Sequence, residues 1–328
     1  MKAVLVKKPG DVDQLFIGDF PKPVCGKKEI LVKVKATALN RADLLQRRGY
    51  YPPPEGASPL MGLEAAGLVE EIGDDCEEAW KTGDRVFALL PGGGYAEYVT
   101  IPEKMALRIP DGISFSEAAS IPEAFLTAFQ TLFWVGRLSK GEHVLIHAGA
   151  GGVGSAAIQL AREAGAIPIV TVGSEKKQTF CLNLGAQHAF NYKKEDFVPR
   201  VMEATGGQGV DLVLDFIGAA YWKQNIKVLK VDGRWVLIGT LGGSRLEQAS
   251  LAPVLNKRLQ ITGTTLRNRS LDYKIKLSHE FASFALPRLE KGEIRPVIDR
   301  EFPFEQVREA HKYMEENRNC GKIVLVLD

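Results

Sequence analysis

The run His143-Val-Leu-Ile-His-Ala-Gly-Ala-Gly-Gly-Val-Gly-Ser-Ala-Ala-Ile-Gln-Leu160 carries the clearest chemistry in the chain. A short apolar stretch, 144–148, leads into glycines at 149, 151 and 154, followed by Ala157, Leu160, Ala161 and Ala164 on one helical side. A strand that turns sharply into a helix leaves the first helical N–H groups unpaired and its positive dipole end exposed. Glycines in such a turn let the backbone approach an anion. The pattern therefore predicts a pyrophosphate cradled by Gly149, Gly151, Gly152, Val153 and Gly154. Gly165 is placed to end the helix as its C-cap.

A second group of residues bears on which dinucleotide is held. An acidic residue about 20 positions beyond the glycines normally accepts the ribose 2′-OH of NAD. Here the next strand ends Val172-Gly173-Ser174, and Glu175 already belongs to a helix. Ser174 is a natural N-cap, which puts Lys176 and Lys177 in the first turn, where each cation opposes the macrodipole by roughly 0.3–1 kcal/mol. A local rule broken in this way points to function. A 2′-phosphate lying by Gly173 and held by Ser174, Lys177 and Tyr192 reverses the sign of the problem, and NADPH is the expected cofactor. Two merely solvated lysines are the alternative, and Glu175 at the first helical position is an ordinary dipole complement.

These groups need a scaffold. At 328 residues the chain suits two domains. The first 120 or so residues are rich in strand patterns. Lys33 and Lys35 alternate with apolar residues in 29–38, and further strands are expected at 65–72, 85–90 and 95–101. Turn chemistry at Gly73-Asp74, Gly83-Asp84 and Pro91-Gly-Gly-Gly94 separates them, which suggests a small, partly open β-barrel. From a helix over 123–136 onward the rhythm alternates: strands at 144–148, 167–172, 188–191, 211–216, 235–239 and 259–263, with helices between them. That is a doubly wound parallel sheet with right-handed crossovers, an α/β fold. Helices over 271–291 and 304–317 and a strand over 322–327 return to the first domain. The division expected is 1–123 with 270–328, and 124–269.

A net charge of +2 with 25% charged residues leaves no large electrostatic face, which argues against a dedicated nucleic-acid or membrane-surface binder. Cys25, Cys76, Cys181 and Cys320 are far apart in sequence and form no CxxC pair, giving neither a metal nor a disulfide framework. No apolar run approaches a membrane span, and the first residues read straight into a strand without the pattern of a signal peptide. A cytoplasmic location is expected. The strand over 259–263, last in the open sheet, presents an edge that invites pairing, so a homodimer is expected too.

Several motifs together resemble the medium-chain dehydrogenase/reductase superfamily: Gly62-Leu-Glu-Ala-Ala-Gly67, Gly83-Asp-Arg-Val86, the 148–154 glycine turn and Asn319-Cys-Gly-Lys322. Leu39-Asn-Arg-Ala-Asp43, Tyr51-Pro-Pro-Pro54, Gly173-Ser-Glu-Lys-Lys177 and Asn191-Tyr192 resemble its zinc-independent, zeta-crystallin-like quinone oxidoreductases. The resemblance runs over essentially the whole chain. It implies a GroES-like catalytic domain around a Rossmann domain. It also implies Asn40 and Tyr51 as catalytic residues at the substrate pocket, and further cofactor contacts from Thr127, Ile217, Gly239, Leu266 and Lys322. At the positions that ligate catalytic zinc in the alcohol-dehydrogenase branch, the resemblance puts Asn40, Leu63 and Glu123. Leucine cannot ligate, and without thiolate or imidazole donors a tetrahedral zinc site is not expected. His143 and His147 bracket a strand and are expected to pack.

Without a Lewis acid the substrate must be reducible unaided. Quinones qualify, because reduction to the hydroquinone aromatises the ring, and the protein then mainly holds a flat electrophile against the nicotinamide. A 2-enoyl or alkenal reductase is the first alternative. RNA binding, known among zeta-crystallin-like proteins, is the second; the chain has no RNP motif and no aromatic-basic stripe to carry it.

Overall fold

The computed structural model describes every residue except Gln248. The chain divides into two units, Met1–Leu126 with Leu266–Asp328, and Thr127–Thr265.

The first unit opens with a hairpin of β1 (Lys2–Val6) and β2 (Leu15–Asp19). Its main sheet starts from β3 (Glu29–Ala38), in which Lys33 and Lys35 are half-buried and the flanking apolar residues fully buried, as the alternation predicts. A short helix, α1 (Arg41–Arg47), follows directly. Next come β4 (Glu64–Ile72), β5 (Arg85–Leu89), β6 (Tyr98–Pro102), β7 (Leu107–Arg108) and the helices α2 (Phe115–Ala119) and α3 (Pro122–Phe129). α3 continues as a π-helical turn over Gln130–Val135, closed by the Gly136 N–H on Thr131 O at 3.0 Å.

The second unit is a six-stranded sheet. In chain order it contains β8 (His143–Ile146), α4 (Gly152–Glu163), β9 (Ile167–Val172), α5 (Glu175–Asn183), β10 (His188–Asn191) and α6 (Phe197–Ala204). It goes on through β11 (Val210–Asp215), α7 (Trp222–Val228), β12 (Leu229–Leu237), α8 (Ala252–Asn256) and β13 (Gln260–Gly263). The strand order β10-β9-β8-β11-β12-β13, parallel throughout, reverses direction between β8 and β11. That switch point is where doubly wound sheets bind ligands. Leu145, Ile169, Phe190, Phe197, Val213 and Trp235 fill the space under one face. Each such side chain stabilises the fold by roughly 1.5–3 kcal/mol on burial.

Strand ends shift by a few residues against expectation, at β6 and β8 for instance, and most at β12. β12 starts at Leu229, six residues before the apolar run 235–239 signals it. Val231-Asp-Gly-Arg reads as a turn, and Asp232 does have φ of 62°. The ladder with β11 breaks its register between Val210 and Leu212 and then resumes, so the irregularity is absorbed inside the strand.

The chain then returns to the first unit through α9 (Leu271–Glu290), β14 (Ile298–Pro303), α10 (Val307–Glu315) and β15 (Lys322–Val326). The completed sheet runs β14-β15-β3-β4-β5-β7, with β6 also paired to β3. Among the described residues no helix is long and apolar enough to cross a membrane.

Candidate active site

Asn40 stands where β3 ends and α1 begins. In the first unit β15 runs antiparallel to β3 with Val324 opposite Ala38, which carries Lys322 alongside Asn40. On the other flank β4 pairs with β3, Ala66 opposite Ala36, which brings Glu64 to the same level. The three side chains close on one another. Lys322 Nζ donates to Glu64 Oε1 at 2.7 Å, Asn40 Oδ1 at 2.8 Å and Leu39 O at 2.9 Å. Asn40 Nδ2 donates to Glu64 Oε1 at 2.7 Å, and the Glu123 N–H to Glu64 Oε2 at 2.8 Å. Lys322 and Glu64 are only 4% and 0% exposed, and each ammonium proton has an acceptor. A buried pair is tolerated only when it is this completely satisfied.

Asp43 braces the same corner. Its carboxylate accepts from the Asn40 N–H at 2.8 Å, the Gly62 N–H at 3.1 Å and the Tyr95 hydroxyl at 3.3 Å. Gly62 has φ of +96°, and a Cβ there would stand 2.5 Å from Tyr95 N, so no other residue fits this turn. Burial pushes the Asp43 carboxyl up to about 6, against the pull of its backbone donors. Behind it the arginine of Arg47 donates to His311 Nδ1 at 3.2 Å. His311 is therefore protonated on Nε2, which faces the Tyr95 hydroxyl at 3.4 Å. Arg47 also pairs with Glu315.

Tyr51 is held from behind by Arg267. The Arg267 guanidinium donates through Nε to Pro91 O at 2.8 Å, through Nη2 to Gln46 Oε1 at 2.8 Å and through Nη1 to Tyr51 O at 3.3 Å. It also lies over the Tyr51 ring, 5.2 Å from its centroid. Burial first, and then the charge of Glu123, raises the Tyr51 phenol above its ordinary value, so it remains a donor at neutral pH. Half-buried Glu123 is pushed up to about 8, by burial and then by Glu64, and keeps its own proton there too.

In the second unit the glycine turn has the expected form. Ala148 takes φ of 51°, and the Gly151 N–H closes on Ala148 O at 2.9 Å. Its glycines do different work. A Cβ on Gly149 would stand 2.7 Å from Val170 Cβ, and one on Gly154 would meet Ala148 O at 2.5 Å, so these two permit close packing. A Cβ on Gly151 would meet only Ala148 O, at 3.3 Å, and would otherwise fill the space before the α4 N-terminus, where a pyrophosphate fits. Val153 is half-buried beside it. Gly165 caps α4 with φ of 73°.

The ends of β9 and β10 bring Gly173 and Tyr192 together, with Ser174 and Lys177 at the start of α5. The Ser174 hydroxyl caps α5, accepting from the Lys177 N–H at 3.3 Å. Gly173 makes room for Tyr192: a Cβ there would be 2.9 Å from the phenol oxygen and 3.5 Å from Lys193 Cε. Lys193 was not among the expected readers, and its only sequence signal is the repeated lysine after Asn191-Tyr192. Glu175, the first residue of α5, is ion-paired with Lys194.

Ile217 and Gly239 come together at the ends of β11 and β12, where a Cβ on Gly239 would lie 3.3 Å from Phe216 O. The group that arranges them is Asp215, which the sequence did not single out. Its buried carboxylate accepts from the Ile217 N–H at 2.7 Å, the Gly218 N–H at 3.1 Å, Asn225 Nδ2 at 3.2 Å and Trp235 Nε1 at 3.1 Å. Asn225 Oδ1 faces His147 Nε2 at 2.7 Å, and His147 Nδ1 faces Thr171 Oγ1 at 2.8 Å. His147 thus packs, as expected. Thr127 is buried, its carbonyl taken by the Thr131 hydroxyl at 2.7 Å. Leu266 and Lys322 belong to the first unit.

Two family models match the chain: "Zinc-binding dehydrogenase" over residues 152–283 and "Alcohol dehydrogenase GroES-like domain" over 26–111. The human synaptic vesicle membrane protein VAT-1 homolog is 33% identical over 319 residues, 93% of this chain and 80% of that protein. The crystal structure of Escherichia coli quinone oxidoreductase complexed with NADPH superimposes with a TM-score of 0.89 at 30% identity, covering 100% of both chains. The CurK enoyl reductase structure gives 0.88 at 29% identity, covering 100% of this chain and 99% of that one. The zinc in the first family description does not fit the residues here. Of the three positions, Leu63 is apolar and buried, Asn40 is already bound to an ammonium group, and Glu123 offers neither thiolate nor imidazole. With its GroES-like sheet, its parallel nucleotide-binding sheet and relatives matched along nearly its full length, the chain belongs to the medium-chain dehydrogenase/reductase superfamily.

Proposed function

We propose that this oxidoreductase is an NADPH-dependent quinone oxidoreductase of the cytoplasm, transferring reducing equivalents to quinones, ortho-quinones among them, without a metal. The observation that carries the reading is the Lys322–Asn40–Glu64 closure. Of the three positions that would face a metal, Leu63 has no donor atom and Asn40 is committed to a lysine, so the substrate must accept a hydride without Lewis-acid help. Quinones do so. The likeness to a quinone oxidoreductase complexed with NADPH supports both parts of the proposal.

Bound NADPH supplies the hydride. The chain's residues position and stabilise. The glycine turn and the α4 N-terminus would hold the pyrophosphate, and Ser174, Lys177, Tyr192 and Lys193 would hold the 2′-phosphate. Tyr51, a phenol that keeps its proton, donates a hydrogen bond to the quinone oxygen that gains charge. Asn40 acts by keeping the pocket floor in place, since its amide is engaged on both sides. A second reading, a 2-enoyl or alkenal reductase, is favoured by the likeness to CurK enoyl reductase. Initial rates with an ortho-quinone, a para-quinone and a 2-enal, each with NADPH and NADH, separate the two; turnover of the 2-enal alone overturns the quinone assignment.

Replacing Tyr51 by Phe, or Asn40 by Ala, should lower quinone turnover about tenfold to a hundredfold without abolishing it, because positioning and one hydrogen bond are at stake. Complete inactivity of folded Tyr51→Phe protein would instead mark an obligatory proton donor. For the cofactor, Lys177→Ala should raise the KM for NADPH about ten- to a hundredfold and leave NADH use nearly unchanged, the effect shrinking at high salt. Equal losses with both cofactors would remove Lys177 as a phosphate reader.

The exposed β13 edge supports a homodimer in which two such strands pair across a two-fold axis. Leu241, Leu251 and Leu255 are 61%, 73% and 78% exposed on the same unit. Sedimentation at micromolar concentration should give the mass of two chains; a single-chain mass would refute it.

A further inference from the structure

Cys25 and Cys76 are 51 positions apart in sequence and meet in the fold. Both sulfur atoms lie 3.4 Å from one atom, the carbonyl oxygen of Glu29, so they stand within twice that distance of each other. The two turns that carry them are stitched together. The Gly73 N–H donates to Glu29 O at 2.9 Å and the Lys28 N–H to Asp74 O at 2.8 Å. Gly73 lies so close to the Gly26 carbonyl that a Cβ would collide with it. The segment after Cys76 is pinned as well, the N–H groups of Glu77 and Glu78 donating to the buried carboxylate of Glu103 at 2.9 and 2.8 Å. Both thiols are half-buried, open to small solutes, whereas Cys181 and Cys320 are buried.

We propose that Cys25 and Cys76 form an oxidisable dithiol that hydrogen peroxide converts to an intramolecular disulfide. One thiolate attacks a peroxide oxygen: an S–O bond forms, the O–O bond breaks and one water leaves, giving a sulfenic acid. The second sulfur then attacks the first: the S–S bond forms, the S–O bond breaks and a second water departs with the remaining thiol proton. Two thiols lose two electrons and the peroxide gains them. The bond closes the base of the β3–β4 hairpin, and the loop it closes contains Asn40, Asp43, Tyr51 and Glu64. Burial holds both thiols above the ordinary cysteine range, and the Glu103 charge adds to this at Cys76. Glu29 and Glu71 face Cys25, and the nearby cations Lys27, Lys28 and Lys104 are paired with Asp75 and Glu77. The reaction therefore runs slowly at neutral pH and faster in alkali.

The test treats the folded protein with hydrogen peroxide and maps its peptides. Two of the four thiols should disappear together, a Cys25–Cys76 cross-linked peptide should form, and dithiothreitol should restore both. Melting should rise by roughly 5–10 °C on oxidation, as expected for a closed loop of this size. Cys25→Ser and Cys76→Ser should each abolish the cross-link and the shift. As a probe that needs no oxidation, phenylarsine oxide should add one arsenic per chain across the two sulfurs, and neither variant should retain it. Separate sulfinic acids without a cross-link, cross-links between chains, or arsenical uptake surviving in either serine variant would overturn the proposal.

Discussion

Glu64→Ala should destabilise the first unit by about 3–5 kcal/mol, the cost of breaking a buried pair by removing one partner. Glu64 accepts from Lys322, from the Asn40 amide and from the Glu123 backbone. Its loss leaves an ammonium that is 4% exposed with two neutral acceptors and no directly bonded counter-charge. Glu64→Gln, which keeps an oxygen on the same stem, should cost less. The decisive variant combines Glu64→Ala with Lys322→Met: removing both charges together should recover much of the single-variant loss. Urea unfolding of the three proteins measures this. A double variant no more stable than Glu64→Ala alone would mean that the lysine was never dependent on the carboxylate. Quinone turnover should fall in Glu64→Ala and in the double variant, because Asn40 loses one amide partner in the first and both in the second.

Asp215→Ala is the second large effect, at about 3 kcal/mol or more, and it falls in the nucleotide-binding unit. Four buried donors lose their acceptor at once, and each unsatisfied donor costs roughly 1–3 kcal/mol, less than additively. Asp215→Asn is the informative partner. Its amide nitrogen would face donors wherever it points, towards Ile217 and Gly218 or towards Asn225 and Trp235, so it too should be destabilised although it is nearly isosteric. Hydrogen exchange at Ile217 and Gly218 should accelerate in both variants, and NADPH affinity should fall with it. An Asp215→Asn protein as stable as the parent, with unchanged exchange, would show that the carboxylate is not the organiser of this loop.

The features that the sequence determined by itself are those made within a few residues. The glycine turn needs only a strand, three small residues and a helix start, all inside 143–164, and it forms as read. Ser174 caps α5 through a bond to a residue three positions on, and Gly165 and Gly185 stop their helices with φ of 73° and 103°. Patterning likewise placed most of the strands. Tertiary structure decided the chemistry of the site. Lys322 and Glu64 are 258 positions apart, and neither is unusual among 42 basic and 40 acidic residues. What selects them is the pairing of β15 and β4 with opposite sides of β3, which brings both to Asn40. Asp215 organises its loop only because β12 and α7 deliver Trp235 and Asn225 to it, and Cys25 meets Cys76 only where two turns lock together. The physical reason is the same in each case. A local hydrogen bond is specified by residues that are neighbours in every conformation, whereas a buried polar group becomes affordable only once the fold brings its partners and removes the water.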